Sequence, residues 1–303
     1  MGGAEPLHQD EAVLLATALV DHVAASSGLN VLFIKGPAAT MMGIRGHHVS
    51  ADVDVLVRPE HLDEMVDHLG GRGWLERPSG VTVVRRYSHS RTLYHPQWNC
   101  DIDVHDRFPG MEASPGNAFD TLWRDRQYLV MAARPVPVPS KPAAVIFQAL
   151  HSLRSMDEPR HQREYSALLH RVDVTMHQDL VDLSAELQAT AALQPLLADL
   201  GIADMPALQG TVSEEWRHRT SVQGPGTAYL VSLVESPWRV KPLVLARALF
   251  PSRQTLRERD LHLDDSVAGL LRAHVARWRR GMAGLPAAAR KIRDSRRRQR
   301  SAA

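Results

Sequence analysis

Two separated segments of this chain alternate carboxylates with branched apolar residues. The first, Ser50-Ala51-Asp52-Val53-Asp54-Val55-Leu56-Val57, is its clearest strand. Successive strand side chains point to opposite faces, so Asp52 and Asp54 share one face while Val53, Val55 and Val57 take the other. Two like charges side by side repel. They are easiest to sustain at a wet sheet edge or around a divalent cation. Magnesium suits such a pair, with hard oxygen ligands completed by phosphate oxygens of a substrate. Taken alone, Asp-x-Asp reads first as the solvent face of a half-buried strand. The second segment, Asp101-Ile102-Asp103-Val104-His105, repeats the alternation and puts Asp101, Asp103 and His105 on one face. If the two strands are neighbours, three or more carboxylates converge, at a cost that a metal would relieve.

Other elements must bring these strands together. Residues 8–28 carry apolar positions at helical spacing, and Gly28 is placed to end that helix. Val31 to Ile34 reads as a short strand entering Lys35-Gly36-Pro37, after which a helix over Ala38 to about Gly43 is expected. A glycine at a strand-to-helix turn lets backbone approach a phosphate closely, although a plain tight turn uses the same residue. Pro59 to Leu69 reads as a helix. Trp74-Leu75, Val81 to Tyr87, Thr92 to Tyr94 and Cys100 to His105 read as strands. From Arg134 to Pro142 the alternating prolines predict an extended connection and a domain boundary. Beyond it, 143–155, 161–173, 178–200, 228–248 and 264–281 have helical spacing. The fold class expected is α+β: an N-terminal helix (1–29) packed on a small mixed-sheet core (30–133), then a helical domain (143–281). A basic tail (282–303), helical or disordered, ends the chain.

The order of these features resembles the nucleotidyltransferase superfamily with a DNA-polymerase-β-like core, and more closely its uncharacterised, fifth nucleotidyltransferase family. The resemblance rests on Phe33-Ile34-Lys35-Gly36, on Asp52 to Val57, and on Asp103-Val104-His105. It continues through His151 to Ala248-Leu249-Phe250-Pro251-Ser252 and the helix around Arg272. It implies Mg-dependent transfer of an NMP group from an NTP, as donor substrate, to a hydroxyl, phosphate or carboxyl acceptor, with release of pyrophosphate. By that resemblance Asp52, Asp54 and Asp103 are catalytic and hold two magnesium ions, one shared by Asp103, which helps deprotonate the attacking group. Gly36 and neighbouring amides hold the triphosphate, with Lys35 neutralising part of it and Ser50 beside it. Two positions depart from the pattern. Pro37 removes an amide donor where the superfamily often has Gly or Ser. His48 stands where the closer group carries an arginine, so Arg45 or a protonated His48 takes that role.

The remaining residues have plainer readings. His151 lies among apolar helical positions and reads as a hydrogen-bonded core histidine, whereas His105 fits the family's Asp-x-His pattern. Trp216, Trp238 and Trp278 read as helix packing or capping. Of 303 residues, 44% are hydrophobic and one, Cys100, is a cysteine, which excludes global disorder and a disulfide framework. No apolar run approaches a membrane span, and Met1 to Glu11 lacks the order of a secretory signal, so a cytoplasmic protein is expected. From Arg272 onward eleven basic residues face one acid, while the preceding body holds 25 basic and 33 acidic side chains. An acidic body favours a small-molecule or peptide acceptor over nucleic acid. The alternatives are a tRNA-modifying, toxin-like transferase and a non-catalytic accessory protein that keeps the fold.

Overall fold

The computed structural model describes residues 7–77, 89–202, 212–221, 233, 238–250, 256, 266–279 and 281–282. The strand expected over Val81 to Tyr87, the tail from 283, and residues 228–232 and 234–237 of the helix expected over 228–248 lie outside the described residues. The described residues fall into two compact units, 7–77 with 89–202 and 212–216, and those from Arg217 onward.

The first unit opens with α1 (Gln9–Ser27). The Glu11 carboxylate accepts the His8 amide at 3.1 Å across its first turn, and Gly28 closes it with φ 70°. Then come β1 (Val31–Phe33), α2 (Gly36–Met41), β2 (Asp52–Val57), a 3₁₀ turn over Pro59–His61 and α3 (Leu62–Gly70). Next are β3 (Leu75–Glu76), β4 (Ser90–Tyr94) and β5 (Asp101–His105). These five strands form one mixed sheet in the order β1-β2-β5-β4-β3. Only β2 and β5 run parallel; the other pairs are antiparallel.

Alternation along β2 and β5 divides the sheet between two cores. Val53, Val55, Val57, Ile102 and Val104 pack with Val31 and Phe33 under α1 and α3. Leu56, with Leu32 and Ile34, faces the opposite way into a second core. That core is built on α4 (Pro115–Arg124), α5 (Lys141–Leu153), α6 (Pro159–Leu169), α7 (His177–Glu186) and α8 (Thr190–Asp199). Eight consecutive residues of α5, Ala143 to Leu150, are buried, because neighbours surround this helix.

Three expectations change. Arg134 to Pro142 is extended at its start but not a free connection: β7 (Arg134–Val138) pairs antiparallel with β6 (Gln127–Met131). Pro135 and Pro137 lack an amide hydrogen, which a two-stranded ribbon with an open edge tolerates, while Val136 and Val138 join the core under α1. Residues 178–200 are two helices, because Gln188 turns to φ 50° between α7 and α8. Two further elements, α4 and β6, lie where no helix or strand is expected from the sequence. In the second unit, α9 (Glu214–Ser221), begun in the first, is followed by α10 (Lys241–Leu249) and by helical residues 267–279. There the Trp278 Nε1–H donates to the Leu249 carbonyl at 2.7 Å, a capping role.

Candidate active site

Parallel pairing of β2 with β5 places Asp54 opposite Asp103 and Asp52 opposite Asp101. Adjacent strands lie about 4.8 Å apart, so four carboxylates from two segments share one sheet face. They do not share one fate. Arg77, leaving β3, donates Nε and Nη2 to Asp101 at 2.9 and 2.8 Å. That bidentate pair takes Asp101 out of the cluster.

Asp52, Asp54 and Asp103 remain. Asp54 is 7% exposed, receives His105 Nε2–H at 2.8 Å and forms an ion pair with Lys35. Burial would push its carboxyl up, but the Lys35 ammonium and the His105 contact overcome burial and hold it far below the usual range. Asp52 is pushed up to about 6, first by burial and then by the Asp54 charge. Asp103 is raised for the same two reasons, although Thr92 from β4 donates a side-chain hydrogen bond to it. Its Oδ1 is buried with no hydrogen-bond partner. An unpartnered carboxylate oxygen beside two more carboxylates costs free energy as it stands. The donor set suits a hard divalent cation, which would supply the missing partner. Asp54, Asp103 and His105 each bring a potential ligand atom within 4.8 Å of the others.

The turn ahead of β2 supplies the cationic side. Lys35 is extended, with φ −144° and ψ −151°, immediately before α2. From there its ammonium reaches Asp54 and lies 5.8 Å from the centre of the Phe108 ring. Gly36 has φ 54°, a conformation that favours glycine, and a Cβ there would stand 3.0 Å from Ser50 Oγ, so a side chain would have to displace Ser50. Ser50 is itself buried, two residues before Asp52.

Arg45 and His48 are placed elsewhere. Arg45 donates to Glu164 Oε1 of α6 at 2.6 Å, and Arg160 donates to His48 Nε2 at 3.0 Å. Burial, followed by the charge of Arg45, lowers the His48 pKa, which disfavours its protonated form.

A second group of potential ligands was not legible as a set. His151 from α5 lies 4.9 Å, ring to ring, from His161 of α6. With Glu164 these residues bring potential ligand atoms within 4.8 Å of one another. His151 is not simply a core histidine. Burial, then Lys35 and Arg154, holds its pKa well below the ordinary value, and Asp54 acts on it in the opposite sense. Spacing was the one available signal, since His161 and Glu164 stand three apart on one helix face. Arg77 and Arg154 gave none.

A model of the family described as uncharacterised nucleotidyltransferase matches residues 8–199. No curated protein matches the chain. Among solved structures, the lincosamide antibiotic adenylyltransferase LnuA, lincomycin-bound, is 15% identical with TM-score 0.35, covering 51% of this chain and 94% of its own. An antigenic nucleotidyltransferase-like protein from Paracoccidioides brasiliensis is 14% identical with TM-score 0.39, covering 69% and 97%. The antibiotic-resistance factor ANT(2'')-Ia is 15% identical with TM-score 0.39, covering 62% and 96%.

Proposed function

The chain belongs to the uncharacterised nucleotidyltransferase family, and from that premise we propose that it moves an NMP group from an NTP to a hydroxyl, phosphate or carboxyl acceptor, releasing pyrophosphate. The observation that carries this reading is the pairing of Asp54 with Asp103, whose Oδ1 is buried without a partner. Asp52, Asp54 and Asp103 would hold magnesium, two ions in our reading. Bound there, the metal would lower the pKa of the attacking group and neutralise charge on the transferring phosphoryl.

The chain's own residues do the rest of the work in this proposal. Asp103 would take part in removing the acceptor's proton. Lys35, beside Asp54, would neutralise part of the triphosphate. Gly36, lacking a Cβ, would let the turn approach phosphate oxygens with Ser50 beneath it. His105 would fix the Asp54 carboxylate through its Nε2–H. The catalytic core would be residues 30–133 and the helical domain 143–281, and we favour a small-molecule or peptide acceptor in the cytoplasm.

Asp54→Asn and Asp103→Asn should each lower turnover by on the order of 10³ or more, read as pyrophosphate release with NTP, magnesium and cell extract. Circular dichroism should show an unchanged fold. Turnover retained in Asp54→Asn overturns the assignment. One observation favours the accessory-protein alternative: Arg45 is committed to Glu164 rather than to the carboxylate site. Calorimetry with ATP and the other NTPs separates the two readings, since metal-dependent micromolar binding argues against the accessory role.

A further inference from the structure

We infer that His151, His161 and Glu164 form a second cation site, selective for a borderline-soft divalent ion of the zinc type and separate from the carboxylate cluster. Two imidazoles and one carboxylate are a zinc donor set, whereas magnesium prefers oxygen ligands. Three features of the packing orient them as ligands.

Glu164 Oε1 is occupied by Arg45 at 2.6 Å and Arg160 at 3.0 Å. That leaves Oε2 toward His161 Nδ1, 3.8 Å away, with Gln148 Nε2 3.4 Å from the same oxygen. His161 Nδ1 is itself buried and makes no hydrogen bond. On the other side of that ring, Nε2 faces Glu158 Oε2 at 3.6 Å. A carboxylate behind the non-ligating nitrogen is the usual partner of a metal-bound histidine. The potential ligand atoms lie within 4.8 Å of one another. Tetrahedral zinc with bonds of about 2.1 Å wants them roughly 3.4 Å apart, so rotation of the side chains about their χ angles must close the site.

Arg154 is the built-in competitor. Its Nη2 donates to His151 Nδ1 at 3.1 Å. Ligation through Nδ1 displaces that contact directly. Ligation through Nε2 puts the ring proton on Nδ1, which then no longer accepts. Either way the ion and the Arg154 contact exclude each other.

The test uses the full chain carrying Asp54→Asn, which disables the carboxylate site, after stripping with a chelator. Zinc titrated by calorimetry in excess magnesium should bind at one equivalent, and cobalt should give the visible spectrum of nitrogen-ligated Co(II). His161→Ala should abolish both signals, and Glu164→Gln should weaken zinc about 10-fold or more. Arg154→Met should tighten zinc binding several-fold. No zinc binding in the Asp54→Asn protein, or binding unchanged by His161→Ala and Glu164→Gln, overturns the proposal. No readout here depends on NMP transfer, so failure of the transferase reading leaves this test intact.

Discussion

Asp52 and Asp54 differ by two positions and by the sign of their response to the fold. Lys35 and His105 both touch Asp54, so its charge is stabilised, while Asp52 is buried beside that charge and its carboxyl rises to about 6. A raised folded-state pKa means that the protonated form is favoured. The Asp52 contribution to stability is therefore present below about pH 4 and lost as pH rises through about 6. In metal-free protein, urea unfolding should show a decline on the order of 2 kcal/mol across that window from this group, and Asp52→Asn should flatten it. A profile unchanged by that substitution would contradict the burial and charge assigned to Asp52. Magnesium at pH 7 should raise the melting temperature of the native sequence, because a ligand that binds only the folded state stabilises it; in Asp54→Asn the shift should vanish. The alternation of Asp52, Asp54, Asp103 and His105 was readable directly, since strand geometry fixes which residues share a face. The opposite titration of the two aspartates was not, because it depends on Lys35 and His105 arriving from other segments.

At the scale of elements, two of the turns with left-handed backbone, at Gly36 and Gln188, carry different weight. Gly36 lies at φ 54° with Ser50 Oγ close to where a Cβ would stand. Gly36→Ala should cost about 1 kcal/mol or more, from backbone strain and displacement of Ser50 together, measured as a shift in urea midpoint. Gln188 is the reverse case. The Ala189 amide bonds the Ser184 carbonyl at 2.8 Å and the Gln188 amide bonds Ala185 at 3.0 Å. That is the helix-ending motif normally completed by glycine. Gln188→Gly should therefore stabilise by a few tenths to about 1 kcal/mol, and a loss of stability would refute the strain argument. Helical spacing continues through 178–200 in the sequence, so periodicity alone merges α7 and α8. The hairpin of β6 and β7 was obscured for a related reason. Prolines at alternate positions suggest a free linker, whereas here they alternate with Val136 and Val138, which anchor the ribbon under α1.

At the scale of the whole molecule, α5 joins the sheet to the helices of the first unit. Phe147 is fully buried there and meets Phe108 edge-on at 4.9 Å. Phe147→Ala should cost about 3–5 kcal/mol through lost burial and a cavity, and because Phe108 also lies beside Lys35 and His105, magnesium affinity should fall with it. A loss of stability with metal affinity intact would separate the core from the site. Among the described residues no helix is long and apolar enough to cross a membrane. By itself the sequence determined which carboxylates share a face and the turn that precedes them, because these follow from local alternation and backbone stereochemistry. Tertiary structure alone decided that β2 and β5 are parallel neighbours, that Arg77 withdraws Asp101, and that Arg45 belongs to Glu164. It also gathered His151, His161 and Glu164. Such pairings join residues far apart in the chain, and no periodicity within either segment encodes which distant segment will lie beside it.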